Sequence, residues 1–193
     1  MKNLIYKYRI DNHEELNKHL LELFLGIPIK LGSHSMITKG DSHSHESSSM
    51  IPKNWSQKEH WDIKKWPHIE YKKLFLDAAK NKFKEHAKHH LPDLNYKFNI
   101  MNMWYHQYTE YEIDGISWHN HWPGSQWSAV YFVEVPVNKF TEFLNPETQE
   151  TINVSAQDGD MVIFPSWMLH RAPKLETGNK TIIAWNMDIN KNE

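Results

Sequence analysis

The spacing of apolar residues changes from a strand period to a helix period early in the chain. Residues 4–9 alternate between apolar and polar, which predicts an edge strand. Apolar side chains then recur every three or four residues from Asn12 to about Leu25, which predicts an amphipathic helix. Asn12 followed by Glu15 has the form of a capping box, and Gly26 follows the last helical residue.

A second helix is predicted from Ile69 to about His90. Apolar residues again recur at three- and four-residue steps, and Pro92 stops the pattern. His86, His89 and His90 lie among lysines near the end of this helix. We expect these three histidines to face solvent.

The segment between the two helices, residues 32–60, is polar and rich in turn-forming residues. A connection of this length in a compact domain is usually functional or disordered. It contains a His-x-His pair, His43 and His45, but a serine-rich loop does not hold metal ligands rigidly. We therefore expect a surface loop, or a lid over the functional site, rather than a metal pair.

After Asn95 the apolar pattern changes to a period of two, which is typical of strands. A long strand is predicted, with Phe98, Ile100, Trp104 and Tyr108 on one face. Turn signals separate the further predicted strands, which are Ser128–Val135, about Thr151–Val154, Met161–Phe164 and Thr181–Met187. Helices followed by strands predict an α+β fold, in which an antiparallel barrel or jelly roll is backed by two amino-terminal helices.

We expect a single domain over residues 1–193, because this length suffices for one core and no internal repeat divides it. Residues 1–95 would form the helical and loop support with the lid. Residues 96–190 would form the barrel, with the functional site in it.

The composition excludes several classes of protein. A formal net charge of -2 gives no electrostatic reason to expect a nucleic-acid partner. The absence of cysteine excludes disulfides, thiolate metal sites and a cysteine nucleophile. No apolar run is long enough to span a membrane, and the first apolar stretch is too short for a signal peptide. We therefore expect a soluble, cytoplasmic protein.

Three histidines stand where predicted strands begin or end. His119 and His121 are two apart at the start of an apolar strand, and residues i and i+2 of a strand point to the same side. His170 follows a Gly-Asp turn, an apolar strand and Phe-Pro-Ser-Trp. Three imidazoles on one face of a metal would leave the opposite face open, as iron and oxygen chemistry require. We predict a mononuclear metal site in the barrel, with Fe(II) as the first choice.

The flanks of the histidine pair strengthen this interpretation. The chain holds 14 histidines, so one His-x-His pair is weak evidence by itself. Trp118, Trp122 and Trp127 surround the pair, and they would form a wall that excludes water. The strand that follows is strongly apolar.

Acidic residues are the alternative ligands, because many iron sites use two histidines and one carboxylate. Glu112, Asp114 and Glu134 are the candidates, but none has the spacing of His121. Asp160 is expected to belong to the turn before its strand. A site of three histidines is therefore our first choice.

The same residues resemble a known family. The matching series is His119-x-His121, Ser128-x-Val130-Tyr131, a strand that ends at Pro136, Gly159-Asp160-x-Val162-x-Phe164-Pro165-Ser166-Trp167-x-x-His170, a basic residue ten positions on, and Trp185-Asn186. This series covers roughly residues 98–188. It resembles the 2-oxoglutarate/Fe(II) oxygenase family that is found often in phage and marine bacterial genomes and is related to the prolyl 4-hydroxylases.

The resemblance implies a double-stranded β-helix, a jelly-roll or cupin-like barrel, that uses Fe(II), 2-oxoglutarate and dioxygen. His119 matches the first iron ligand and His170 the distal histidine, whereas His121 stands where prolyl hydroxylases carry aspartate. Lys180 stands where relatives use arginine to hold the far carboxylate of 2-oxoglutarate, and lysine supplies the charge without a planar fork. Arg171 is a competitor, but its place beside a metal ligand suits the far end of the co-substrate poorly.

Further site residues are assigned on the same basis. Tyr105 and Tyr131 are expected to donate hydrogen bonds to the co-substrate. The substrate pocket is assigned to aromatic and amide side chains, which are Trp118, Trp122, Trp127 and Asn186.

Three functions follow from these residues. The first is a 2-oxoglutarate- and Fe(II)-dependent dioxygenase, a hydroxylase of a bacterium or phage-infected host, that couples decarboxylation of 2-oxoglutarate to oxidation of a small-molecule or peptidyl substrate. The second is a cupin-type metalloenzyme that does not use 2-oxoglutarate. The third is a non-enzymatic jelly-roll module of a phage, with a binding or structural role. No nucleic-acid or membrane partner is expected, and a homodimer is compatible with the sequence.

Overall fold

Two antiparallel sheets form the framework of the chain in a computed structural model. The structure describes residues 4–26, 39–40, 69–92, 95–109, 116–136 and 140–191. Apart from residues 39–40, the predicted loop at 32–60, with His43 and His45, lies outside these ranges, as do Glu112 and Asp114.

Ten strands and two helices lie in the described residues. They are β1 (Tyr6–Arg9), α1 (His13–Leu25), β2 (Lys39–Gly40), α2 (Ile69–His90), β3 (Tyr96–Thr109), β4 (Ile116–His119), β5 (Trp127–Glu134), β6 (Glu142–Leu144), β7 (Thr151–Asn153), β8 (Asp160–Pro165), β9 (His170–Ala172) and β10 (Asn179–Lys191). The six-stranded sheet has the order β1-β8-β5-β10-β3-β2, and the four-stranded sheet has the order β4-β9-β6-β7. The predicted antiparallel architecture with two helices is confirmed.

The six-stranded sheet separates two apolar cores. Tyr131 and Val133 of β5 pack with the helices on one face, and Val130 and Phe132 pack between the two sheets on the other. Both faces of β5 are therefore covered, which explains why its sequence is a continuous apolar run rather than an alternating one.

A bulge in β3 changes which residues face each core. Asn102 pairs with Asn186 and Ile100 pairs with Met187, so Met101 is an extra residue in the ladder. Ile100 therefore packs with the helices. Trp104 and Tyr108 instead contact the core between the sheets. The prediction that one face of this strand runs from Phe98 to Tyr108 is wrong, because one inserted residue exchanges the two faces.

The first helix has the predicted bounds but not the predicted cap. Asn12 has the left-handed backbone conformation (φ 55°), and its side chain makes no capping hydrogen bond. A capping side chain requires extended backbone at this position, so the capping-box prediction is wrong. At the other end, the Gly26 N–H donates to the Leu23 and Phe24 carbonyl oxygens.

The second helix ends at His90, as predicted, but its histidines are not all exposed. His86 is fully buried, its Nδ1 lies 2.9 Å from the Tyr8 hydroxyl oxygen, and its ring packs edge-on against Trp127. The expectation of a solvated His86 is wrong, because the last turns of α2 pack against aromatic side chains of the sheet. Within the described segments, neither helix combines the length and hydropathy needed to span a bilayer.

Candidate metal centre

Strand pairing brings three histidines to one place. His119 is the last residue of β4 and lies opposite His170, the first residue of β9. His121 follows two positions after His119, and its backbone N–H donates to the Ser166 carbonyl oxygen at 2.8 Å. The turn between β8 and β9 is thereby fixed to the segment that carries His121.

The hydrogen bonds of the three rings determine which nitrogen can bind a metal. The Nδ1 atoms of His119 and His170 lie 2.8 Å and 3.0 Å from the backbone carbonyl oxygens of Ser117 and Met168. The Nδ1 atom of His121 lies 2.7 Å from the Asn186 side-chain oxygen. A carbonyl oxygen can only accept, so each Nδ1 carries the proton and each lone pair is on Nε2.

The three histidines converge closely enough to hold one ion. One ring nitrogen from each lies within 4.8 Å of the others, and no carboxylate of the described residues belongs to the group. His170 is buried, and this burial, together with the nearby His119, lowers the pKa of its imidazole to about 3. Three neutral imidazole nitrogens are suitable ligands for a divalent transition metal.

A cavity between the two sheets adjoins the histidines. Its lining is mostly apolar or aromatic, and includes Trp104, Tyr108, Ile116, Phe164, Ile182 and Ala184. Trp104 stacks on the His121 ring with 5.8 Å between centroids, and Phe164 packs edge-on against His170 at 4.7 Å. These rings therefore pack directly against two of the three histidines.

Lys180 extends into the same compartment. It is 1 % exposed, and its Nζ lies 5.3 Å from the centroid of the Tyr108 ring and 5.7 Å from that of the Phe132 ring. In the sheet, Lys180 of β10 pairs directly with Tyr108 of β3. A cation and a phenol thus lie side by side in the core between the sheets, where an anionic group of a ligand would be attracted.

Solved structures share this architecture. An oxidoreductase of the 2OG-Fe(II) oxygenase family from Burkholderia pseudomallei superposes with a TM-score of 0.64 at 12% identity, covering 96% of this chain and 84% of that one. The viral collagen prolyl hydroxylase of Paramecium bursaria Chlorella virus-1 gives 0.59 at 12% identity, with 96% of each chain covered. A Pseudomonas putida prolyl-4-hydroxylase gives 0.56 at 11% identity, with 96% and 92% covered.

The fold is the double-stranded β-helix of 2-oxoglutarate/Fe(II) oxygenases. This confirms the predicted fold class. No family model matches the chain, and no curated protein sequence is significantly similar to it. The likeness is therefore one of fold.

Tyr105 and Tyr131, which were expected at the co-substrate, lie on the face of the six-stranded sheet that packs against the helices. Tyr131 donates from its hydroxyl to the Asn17 side-chain oxygen at 2.6 Å, and Tyr105 stacks on Phe24 with centroids 4.1 Å apart. Both belong to the core under the helices. The six-stranded sheet separates them from the histidines, so their assignment is corrected, whereas Tyr108 lies on the same face as the histidines.

Sequence reasoning missed Tyr108 as a site residue for an identifiable reason. The period-two pattern places Tyr108 on the same face as Trp104, four residues further along the strand. Only the register of β3 with β10 shows that it faces Lys180. That register is a long-range pairing, which the apolar pattern of β3 does not reveal.

The tryptophans do not form the predicted wall. The Trp118 ring lies 4.6 Å from the Arg171 guanidinium, and Trp127 packs against His86 and His90 under the helices. Neither lines the cavity between the sheets, so these two assignments are corrected.

The other predicted pocket residues lie close to His121. Trp122 is 60% exposed at the position after this histidine. Asn186 accepts a hydrogen bond from His121 itself. Trp104, which lines the cavity and stacks on His121, was not among the predicted pocket residues.

The remaining charged candidates are engaged elsewhere. Arg171 donates from Nε to a Glu142 carboxylate oxygen at 2.6 Å. Asp160 pairs with Arg9 at 2.9 Å and accepts from the Gln157 N–H, so it closes the turn that leads into β8 and is the first residue of that strand. Glu134 lies at the far end of β5 beside the Thr181 hydroxyl, where burial raises the pKa of its carboxyl group.

Proposed function

We propose that this chain is a 2-oxoglutarate- and Fe(II)-dependent oxygenase, with His119, His121 and His170 as the metal ligands. The observation that carries the proposal is the convergence of three Nδ1-protonated imidazoles within a double-stranded β-helix. Two of the similar solved structures are prolyl hydroxylases, which supports hydroxylation as the reaction class.

The donor set fits a divalent iron ion with open coordination positions. Bound Fe(II) would supply the activation of dioxygen and the oxidative decarboxylation of 2-oxoglutarate to succinate and carbon dioxide. Three neutral imidazoles do not offset the metal charge, so the dianionic co-substrate supplies the compensating charge. The chain's own contribution is to hold the ligands and to keep water away with Trp104 and Phe164.

Lys180 and Tyr108 are the proposed partners of the far carboxylate of 2-oxoglutarate. The ammonium group of Lys180 would pair with this carboxylate, and the Tyr108 hydroxyl would donate a hydrogen bond to it. A buried, charge-assisted pair of this kind is stronger than a neutral hydrogen bond. Arg171 is less suitable, because Glu142 already pairs with it.

The proposed substrate class is taken from the similar structures rather than from this site. The similar structures include prolyl hydroxylases and an α-ketoglutarate-dependent epimerase, SnoN of nogalamycin biosynthesis, with a TM-score of 0.61 at 10% identity. We propose hydroxylation of a peptidyl or small-molecule substrate as the first reaction to test.

One observation favours a second candidate, a cupin-type metalloenzyme that does not use 2-oxoglutarate. The group of potential ligands holds three histidines and no carboxylate among the described residues. A site of two histidines and one carboxylate is the common arrangement in iron oxygenases. The two candidates differ in what Lys180 does, because only the first needs it for co-substrate binding.

The proposal is tested by anaerobic titration with Fe(II) and then 2-oxoglutarate, following the weak visible charge-transfer band of the chelate. We expect the band in the native chain, its loss in His170→Ala and its weakening in Lys180→Ala. The matched controls are His89→Ala and Lys174→Ala, which change exposed residues of the same types. Metal binding without the band would favour the cupin-type enzyme, and no metal binding would favour the non-enzymatic module.

A further inference from the structure

A chain of buried polar side chains runs from the turn after β8 to the metal centre. The Ser125 and Ser166 hydroxyl oxygens are 2.7 Å apart, and those of Ser166 and Ser128 are 2.9 Å apart. The Ser128 hydroxyl donates to the Asn186 side-chain oxygen at 2.8 Å. Asn186 in turn donates from its amide nitrogen to the Asn102 side-chain oxygen at 2.8 Å. All five residues are at most 8% exposed.

This chain fixes the orientation of the Asn186 amide. Its nitrogen faces an acceptor on Asn102, and its oxygen faces the Ser128 hydroxyl and the His121 ring. Rotating the amide by half a turn would place its nitrogen against the Nδ1–H of His121 and its oxygen against the oxygen of Asn102. The contact with Asn102 would then be lost in a buried site, where unsatisfied polar groups are costly, and His121 could keep its contact only as the other tautomer.

We propose that Asn186 is the positioning residue for His121, holding it as the Nδ1-protonated tautomer with Nε2 directed to the metal. The inference rests on the proposed function, since it takes His121 as a metal ligand. His119 and His170 are oriented by backbone carbonyl oxygens, whereas His121 is oriented by a side chain. The orientation of this one ligand can therefore be changed by substitution.

The same geometry accounts for histidine rather than aspartate at position 121. A carboxylate there would meet the Asn186 oxygen, which is also an acceptor, instead of a donor. Asn186 could donate to an aspartate only by turning its amide, which would set its oxygen against the Asn102 oxygen and break that hydrogen bond. The polar chain thus selects an N–H donor at position 121, and imidazole supplies both that donor and a metal-binding lone pair.

The test compares two substitutions of nearly the same size as asparagine. Asn186→Leu removes the acceptor, and Asn186→Asp keeps it. We expect Asn186→Leu to raise the dissociation constant for Co(II) or Fe(II), measured anaerobically by calorimetry, by about 10- to 100-fold, as for other residues that orient metal-bound histidines. Asn186→Asp should bind at least as tightly as the native chain. Equal weakening in both variants, or native affinity in Asn186→Leu, would overturn the proposal.

The control is Ser125→Ala, which removes a buried hydroxyl at the far end of the polar chain. It should leave the metal dissociation constant within about twofold of the native value, because Ser128 and Asn102 still hold Asn186. If Asn186→Leu does not fold, Asn186→Ser carries the same expectation, because a serine hydroxyl is too short to reach Nδ1 of His121.

A second readout does not depend on metal. In the metal-free protein, the ¹⁵N shifts of the His121 ring should report the Nδ1-protonated tautomer in the native chain and a mixture of tautomers in Asn186→Leu. An unchanged tautomer in that variant would overturn the inference. If the native chain binds no metal but shows this tautomer change, the positioning role stands and the metal assignment of the proposed function fails.

Discussion

At the scale of single residues, the candidate site depends on which nitrogen of each imidazole carries a proton. Backbone carbonyl oxygens make this choice for His119 and His170, and Asn186 makes it for His121. The His-x-His spacing could predict the pair, although His121 lies beyond the end of β4 and its direction does not come from strand geometry. The role of Asn186 could not be predicted, because it depends on the register of β10 with β5 and β3.

The correction of the tyrosines gives a prediction at this scale. Tyr108→Phe should weaken 2-oxoglutarate binding by about tenfold or more, because a hydrogen bond to a charged group contributes about 1.5–3 kcal/mol. Metal affinity should not change. Both are measured by anaerobic calorimetry, with 2-oxoglutarate titrated into the metal-loaded protein.

Tyr131→Phe is the matched control for this prediction. It leaves the buried Asn17 side chain without its hydroxyl donor, so it should lower the free energy of unfolding by about 1–3 kcal/mol. Its 2-oxoglutarate affinity should equal that of the native chain. The reverse pattern, with Tyr131→Phe weakening the co-substrate and Tyr108→Phe inert, would restore the original assignment.

At the scale of elements, the long helices and strands could be predicted and the short ones could not. The bounds of α1 and α2 follow from repeated apolar spacing, and β5, β8 and β10 follow from apolar runs between turn signals. The strands β6 and β9 have three residues each, too few to display a period. They form only because they pair with neighbours in the smaller sheet, a tertiary effect that local sequence does not carry.

The turn before β8 connects the sheet to the start of α1 and provides a second prediction. Gly159 has a left-handed backbone (φ 87°), and a Cβ there would clash with the His13 ring. Gly159→Ala should lower the free energy of unfolding by about 1–3 kcal/mol more than Gly178→Ala. Both substitutions force alanine into a left-handed backbone conformation, but only Gly159→Ala also creates a clash. Gly178 also has a left-handed backbone (φ 79°), but the atom nearest to its added Cβ is 3.8 Å away.

Urea unfolding of the two variants measures this difference. Adding His13→Ala to Gly159→Ala should recover only the part of the loss that comes from the His13 ring, because the His13 Cβ also lies too close to the added Cβ. Equal destabilisation by the two glycine substitutions would show that the His13 contact relaxes without cost.

The packing of α2 on the sheet provides a third prediction, on pH. Burial, with the neighbouring His90 and His89, lowers the pKa of His86 from 6.5 to about 3. The unfolded chain therefore binds a proton that the folded chain excludes between these values. The stability that this neutral histidine contributes is complete above pH 6.5 and is lost as the pH falls toward 3, at up to about 1.4 kcal/mol per pH unit.

We expect His86→Phe to flatten the decline in unfolding free energy of the metal-free protein between pH 7 and pH 5. His170 titrates in the same direction, so part of the decline should remain. Lys84→Phe, which changes an exposed residue of the same helix and removes no imidazole, should leave the slope as it is in the native chain. An identical slope in His86→Phe and the native chain would contradict the prediction.

At the scale of the whole molecule, the six-stranded sheet separates the side chains that pack under the helices from those that lie with the histidines between the two sheets. Tyr105, Tyr131 and Trp127 lie on the helix side, and Trp104, Tyr108 and Lys180 lie with the histidines between the sheets. Composition and spacing identified the right kinds of residue but could not divide them between the two compartments. That division depends on which face of the six-stranded sheet each side chain occupies, and it explains why the predicted histidines come together while Tyr105, Tyr131 and Trp127 do not join them.

This division also predicts how ligands should stabilise the fold. A metal that binds only the folded chain adds about 2.7 kcal/mol at a hundred times its dissociation constant, which corresponds to a rise in Tm of about 5–10 °C for a chain of this size. We expect Fe(II) to raise Tm without oxygen, and 2-oxoglutarate to raise it further only when the metal is present. His170→Ala should remove both increments and Lys180→Ala only the second.

The two rises in Tm, one with Fe(II) and one with 2-oxoglutarate, distinguish the three functions without an assay that requires the substrate. Because His170 and Lys180 lie in one compartment between the sheets, an oxygenase must show both increments, and the second must depend on the first. A rise with metal alone, unaffected by Lys180→Ala, would assign the chain to the cupin-type enzymes. A Tm insensitive to both ligands would mean that the three imidazoles converge for packing alone, and the binding or structural module would then be the better account of the fold.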